Sequence, residues 1–271
     1  MQHPVARYAV LVLGVAACIL LALPVLPWLT SARGVAGPGA SDAAHPVPAA
    51  VAMVLGAAAF TAVACVVGRL INAAVGLFVL GCGLAVVAGR TGTVVDAAFD
   101  GDTLMPLACE TLAWGAAVLG MSMVVFKVSG PLIDLPARKP GGPFVSEVFN
   151  ADAWRGVIAA GAAVAVAWLL LRNETKGQAI GVVAVGGVAA AYLARRVQQD
   201  TQPILLMALP VLAFGIAQAI VAASSAVPLD RLVAQRALPG WSMAMPLDVV
   251  AGTLMGVPFG LGWSKPSGSE D

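Results

Sequence analysis

The sequence predicts an all-α fold, a polytopic transmembrane helix bundle of about eight spans. Three observations carry that reading. Of the 271 residues, 60% are hydrophobic and only 11% are charged, whereas soluble domains are about half apolar and about a quarter charged. The apolar residues gather into eight runs, each near the ~20 residues that a membrane-crossing helix needs. Trp28, Trp154, Trp168, Trp241 and Trp263 fall at the ends of those runs, where an amphipathic ring favours the headgroup level.

Taken in order, the runs are 8–29, 49–68, 70–89, 104–126, 154–171, 177–194, 203–223 and 242–263. All are rich in Ala and Gly, which suits close approach between helix backbones. The first run has a second reading. Arg7, an apolar stretch and then "SARGVAGPGA" follow the layout of a secretory signal peptide that would remove residues 1–36. The run exceeds the usual apolar region of about 7–15 residues, and Pro24, Pro27 and Trp28 read as an interfacial exit, so it is taken as a span. Residues 30–48 are Gly-, Pro- and Ala-rich and read as a flexible external loop. Residues 127–153 form the longest cytoplasmic connection. Within it Phe144, Val145, Val148 and Phe149 follow Pro143 at helical spacing, which predicts a short interfacial helix.

Orientation follows from the basic residues. With the N-terminus inside, nine Lys and Arg lie on the cytoplasmic side and six outside. The Arg195–Arg196 pair and the basic 127–155 loop set both termini in the cytoplasm of a bacterial-type plasma membrane. "MPLACETLAWG" from Met105 and "MPLDVVAGTLMG" from Met245 open the fourth and eighth runs alike. That echo fits a 4+4 parallel duplication, an arrangement that transporters use.

Composition also excludes function classes. A net charge of +1 offers no field for nucleic acid, so the expected partners are the lipid bilayer and other membrane subunits or further copies of the chain. The four cysteines, Cys18, Cys65, Cys82 and Cys109, have no Cys-x-x-Cys spacing, unlike a zinc site or disulfide framework. Both histidines, His3 and His45, lie outside the runs, so haem or a histidine-bound metal at depth has no ligands. No cofactor and no metal are expected. The acidic "DAAFDGD" (Asp96, Asp100, Asp102) lacks the alternating calcium-loop pattern. With no recognisable nucleophile, phosphate or metalloprotease motif, a non-enzyme is favoured over a lipid-modifying enzyme.

What remains are two acids inside apolar runs. If the fourth span began after Glu110, residues 111–126 would rise about 24 Å, short of the ~30 Å hydrocarbon core. Asp248 is in the same position at the start of the eighth. Carboxylates at such depth face protein or water-filled cavities. Glu110 shares its face with Ala113, Ala117 and Gly120, while Asp248 leads into Gly252, Gly256 and Gly260, a small-residue stripe for helix packing. Asp248 has a structural reading too, as a first-turn acid after Pro246. Asn72, Ser122, Gln178 and Gln218 are the polar candidates to meet Glu110. The functional expectation is permeation or transport of a small solute or ion, with Glu110 and Asp248 along the path. The alternative is a non-catalytic assembly or scaffold subunit of a larger complex.

Overall fold

The computed structural model describes residues 4–101, 103–130, 132, 153–197, 203–225 and 227–264. Within them all regular elements are helical. They are α1 (Pro4–Ala22), α2 (Pro46–Leu70), α3 (Ala73–Ala88), α4 (Val94–Asp100), α5 (Leu104–Ser129), α6 (Ala153–Leu170), α7 (Lys176–Val197), α8 (Pro203–Ser224), α9 (Leu229–Ala234) and α10 (Pro246–Trp263), with 3-10 turns at Leu26–Leu29 and Gly240–Met243. Each of the eight apolar runs falls on one of the longer helices. Most of the 127–153 connection, with its expected interfacial helix at Phe144–Phe149, lies outside the described residues.

Five helices among the described residues, α1, α2, α5, α7 and α8, are long and apolar enough to cross a membrane, and they suggest a bilayer environment. The other three differ for a physical reason. α3 has 16 residues, a rise of about 24 Å. α6 has 18 residues, a rise of about 27 Å. α10 is the centre of the bundle, touching α3, α5, α7 and α8. Of its 18 residues, 13 are buried, so it is solvated by protein and can carry glycine, proline and an acid that a lipid-facing helix would not.

Local chemistry sets the ends. Asn72 accepts from the Val75 amide at 2.8 Å, which lets α3 start directly after α2. Asp96 accepts from the Thr93 amide at 2.7 Å and so starts α4. Pro46 and Pro246 open α2 and α10, where a missing N–H costs nothing.

At one end of the bundle the connections build a cap. α4 and α9 pack on each other over a small core that includes Val94, Leu104, Leu107, Leu229 and Leu238. Residues 30–45, read from composition as flexible, are a defined part of this cap. Bridges join Thr30 to Ala36 and Ser31 to Ala43, and Gly92 donates to the Gly37 carbonyl at 2.8 Å. Arg33 pairs with Asp100 and donates to the Asp96 carbonyl at 3.1 Å. Asp96 and Asp100 of the acidic segment are thus spent on a helix cap and an ion pair.

Candidate functional site

α5 is fixed along one face and open along the other. Gly115 receives Leu212 of α8, and Gly215 of α8 receives Leu112. Beside this seam, Thr111 donates to Gln218 Oε1 at 2.8 Å, and Gln218 Nε2 donates to the Ala244 carbonyl at 2.8 Å. Thr111, Gln218 and Ala244 are fully buried. A network this dry holds helices in one register because an unpaired member would be costly. The opposite face of α5 carries Glu110, Ala113, Ala117 and Gly120 towards α2.

Glu110 stands two turns into α5 and is half-buried. Its carboxylate is held by the cap loop. Ala40 N–H donates to Oε1 at 3.2 Å, and Ser41 donates to Oε2 from its N–H at 3.4 Å and its hydroxyl at 3.0 Å. Gly39 makes room for the carboxylate: a methyl group there would stand 2.5 Å from Oε2. Among the described residues the carboxylate meets three neutral donors and no cation. A carboxylate has about four lone-pair sites, so one remains open.

Below Glu110 a groove of about 860 Å³ runs between α5 and α2. Ala113, Trp114, Ala117 and Gly120 form one wall, and Val54, Ala58 and Ala62 the other. α2 turns Phe60, Ala64 and Val67 into the core, which leaves mostly small residues on the groove side. Thr61, also on the wall, spends its hydroxyl on the Ala57 carbonyl at 2.7 Å. The walls are therefore apolar, and the free polar chemistry is concentrated at the Glu110 end.

The chain matches no family model, no curated protein and no solved structure. Function is carried by the chemistry of its sites.

The second acid is in a different state. Asp248 is 1% exposed, and Lys176 Nζ lies 3.1 Å from both of its carboxylate oxygens. The Met245 amide donates to Oδ2 at 3.0 Å, so Asp248 is a first-turn cap as well as an ion-pair partner. The stripe that follows it lies on α7. Gly252 faces Ile180, Gly256 faces Ala184 and Gly260 faces Val188, each against a backbone carbonyl. A methyl group at Gly252 would stand 2.7 Å from the Ile180 oxygen. The two acids share no hydrogen-bond partner.

Of the side chains named for Glu110 from sequence, none meets it. Gln218 serves Thr111, Asn72 caps α3, and Gln178 accepts from the Asn173 amide at 2.9 Å. Ser122 is buried without a hydrogen-bond partner. The true partners, Ala40 and Ser41, sit in a loop that carries no local signal. Lys176 is one of the six basic residues that the sequence places outside, one residue before the run at 177–194. Its one sequence cue is that it and Asp248 open their runs at the same end of the bundle. Among the described residues no three of His, Cys, Asp and Glu stand close enough to hold a metal ion.

Proposed function

We propose that the chain is an eight-span protein of a bacterial-type plasma membrane, both termini cytoplasmic, in which Glu110 recognises a small solute for permeation. The solute is cationic or a hydrogen-bond donor. The observation that carries this is a carboxylate at the head of an open apolar groove, fixed by three neutral donors and, among the described residues, without a counter-ion. Intramembrane acids are costly and mark solute paths. Asp248, closed by Lys176, drops out of the path.

α3, α6 and α10 complete the eight spans in this reading because neighbouring helices and the cap cover what lipid would not accept. The order of elements supports a 4+4 duplication. Three long helices, a short one and a long one occur twice, as α1–α5 and α6–α10. Exchanging the halves maps helix contacts onto helix contacts: α1 with α3 onto α6 with α8, α2 with α5 onto α7 with α10, and α5 with α8 onto α10 with α3.

The assembly-subunit alternative takes the Gly/Ala faces, the Gly252, Gly256 and Gly260 stripe among them, as helix contacts and the 127–153 loop as the segment that docks a partner. α7 covers that stripe within the chain, so permeation is the better supported reading. Proteoliposome flux tests it. Small organic and inorganic cations are expected to cross in wild type and to lose rate in Glu110→Gln, with the variant still inserted and monodisperse. Equal flux in both, or none in wild type, would defeat the reading.

A further inference from the structure

We infer that the α2/α5 groove holds a single-chain amphiphile with a primary ammonium head, the ammonium on Glu110 and the chain along Ala113, Ala117 and Gly120. The inference rests on the reading of Glu110 as a recognition group. It follows from comparing the two halves of the molecule, which solve the same problem in different ways.

In the second half, the acid in the first turn of α10 looks to the start of α7. What meets it there is Lys176, an ammonium on a four-carbon stem. The α7/α10 seam below is shut by Gly252, Gly256 and Gly260 against the α7 backbone. In the first half, Glu110 in the early turns of α5 looks to the segment that leads into α2. No lysine is supplied there; the carboxylate meets Ala40 and Ser41 instead. Below it the α2/α5 seam stays open by about 860 Å³. The first half therefore lacks the two things that the second half provides from its own chain, an ammonium and apolar filling beneath it. One long-chain amine would supply both.

Size and depth narrow the occupant. Lining residues extend from Glu110 to Val124, about 21 Å along the helix axis, which suits one extended chain. Gly120 has no atom within 4 Å of where a side chain would begin, so the space is open at mid-groove. Glu110 lies six residues, about 9 Å, inside the start of α5. With the 26-residue helix centred on a ~30 Å hydrocarbon layer, the carboxylate is below the headgroups. An ammonium attached directly to its chain reaches that depth, whereas one carried above a phosphate does not.

The test uses Trp114, which lines the groove. Full-length protein in phosphatidylcholine nanodiscs is titrated with a C18 alkylammonium brominated along its chain, and with the matching sulfate and alcohol. The signal is the tryptophan quenching that disappears in Trp114→Phe. The ammonium is expected to reach half-quenching at a mole fraction at least tenfold lower than the sulfate. Glu110→Gln should remove most of that preference and leave the alcohol unchanged. Gly120→Leu, which fills open space without a clash, should weaken all three probes. Equal quenching by ammonium and sulfate in wild type, or indifference to Gly120→Leu, overturns the inference. So does relief of quenching by phosphatidylethanolamine, or a co-purifying membrane protein that shields Trp114. Flux that depends on Glu110 together with no ammonium preference would remove the amphiphile and leave the permeation reading standing. The opposite pair of results would do the reverse.

Discussion

Changing Lys176 to Met separates a buried ion pair from a surface one. Asp248 is 1% exposed and the Lys176 side chain 14%, so water replaces little of the lost attraction. Removing one partner of such a pair costs about 3–5 kcal/mol, because the other charge stays buried. The lower figure, about 3 kcal/mol, is expected, since the Met245 amide still donates to Asp248 at 3.0 Å. For a chain of this size that is a fall of roughly 6–12 °C in thermal midpoint, read by tryptophan fluorescence in a mild detergent. Asp248→Asn keeps the acceptor for Met245 but removes the charge. Combined with Lys176→Met it should recover at least half of the loss, because a neutral pair leaves no stranded ion. A loss below about 1 kcal/mol, the range of exposed pairs, would refute the reasoning. So would strict additivity of the two changes, which marks side chains that do not interact.

Other expectations follow from the same contacts. Gly256→Val forces a branched side chain into the Ala184 carbonyl and should lower stability by about 1–3 kcal/mol, measured as the loss of monodisperse protein on heating; Gly120→Val, in open space, should not. Gln218→Leu strands the buried Ala244 carbonyl and should cost about 1–3 kcal/mol in the same assay. Gly39→Ala pushes only the tip of the Glu110 side chain. It should leave the thermal midpoint nearly unchanged while lowering cation flux as Glu110→Gln does. Ser41→Ala removes one of the three donors to Glu110 and should reduce flux less than Gly39→Ala.

The helices were legible because apolar run length is a local property, and eight runs lie on eight helices. The short α4 and α9, with 7 and 6 residues, were not, since neither forms an apolar run of its own. The loop over 30–45 reads as flexible from its glycines and prolines, yet its order comes from the distant Gly92 and Asp100. The face Glu110, Ala113, Ala117, Gly120 follows from helical periodicity, and those residues line the groove. The loop atoms that grip Glu110 stand about 70 positions away, and Lys176 stands 72 from Asp248. Nothing in local spacing connects such pairs. Position after Pro246 already marks Asp248, unlike Glu110, as a first-turn acid, and burial with a paired cation completes the separation.

The most direct measurement is an experimental structure of the full chain in lipid nanodiscs, at a resolution that shows individual chains. The account expects Glu110 still gripped by Gly39 to Ser41, with one elongated non-protein density running from its carboxylate down the α2/α5 groove. A groove closed by direct α2/α5 contact, or a Glu110 side chain turned out into bulk solvent, would contradict it.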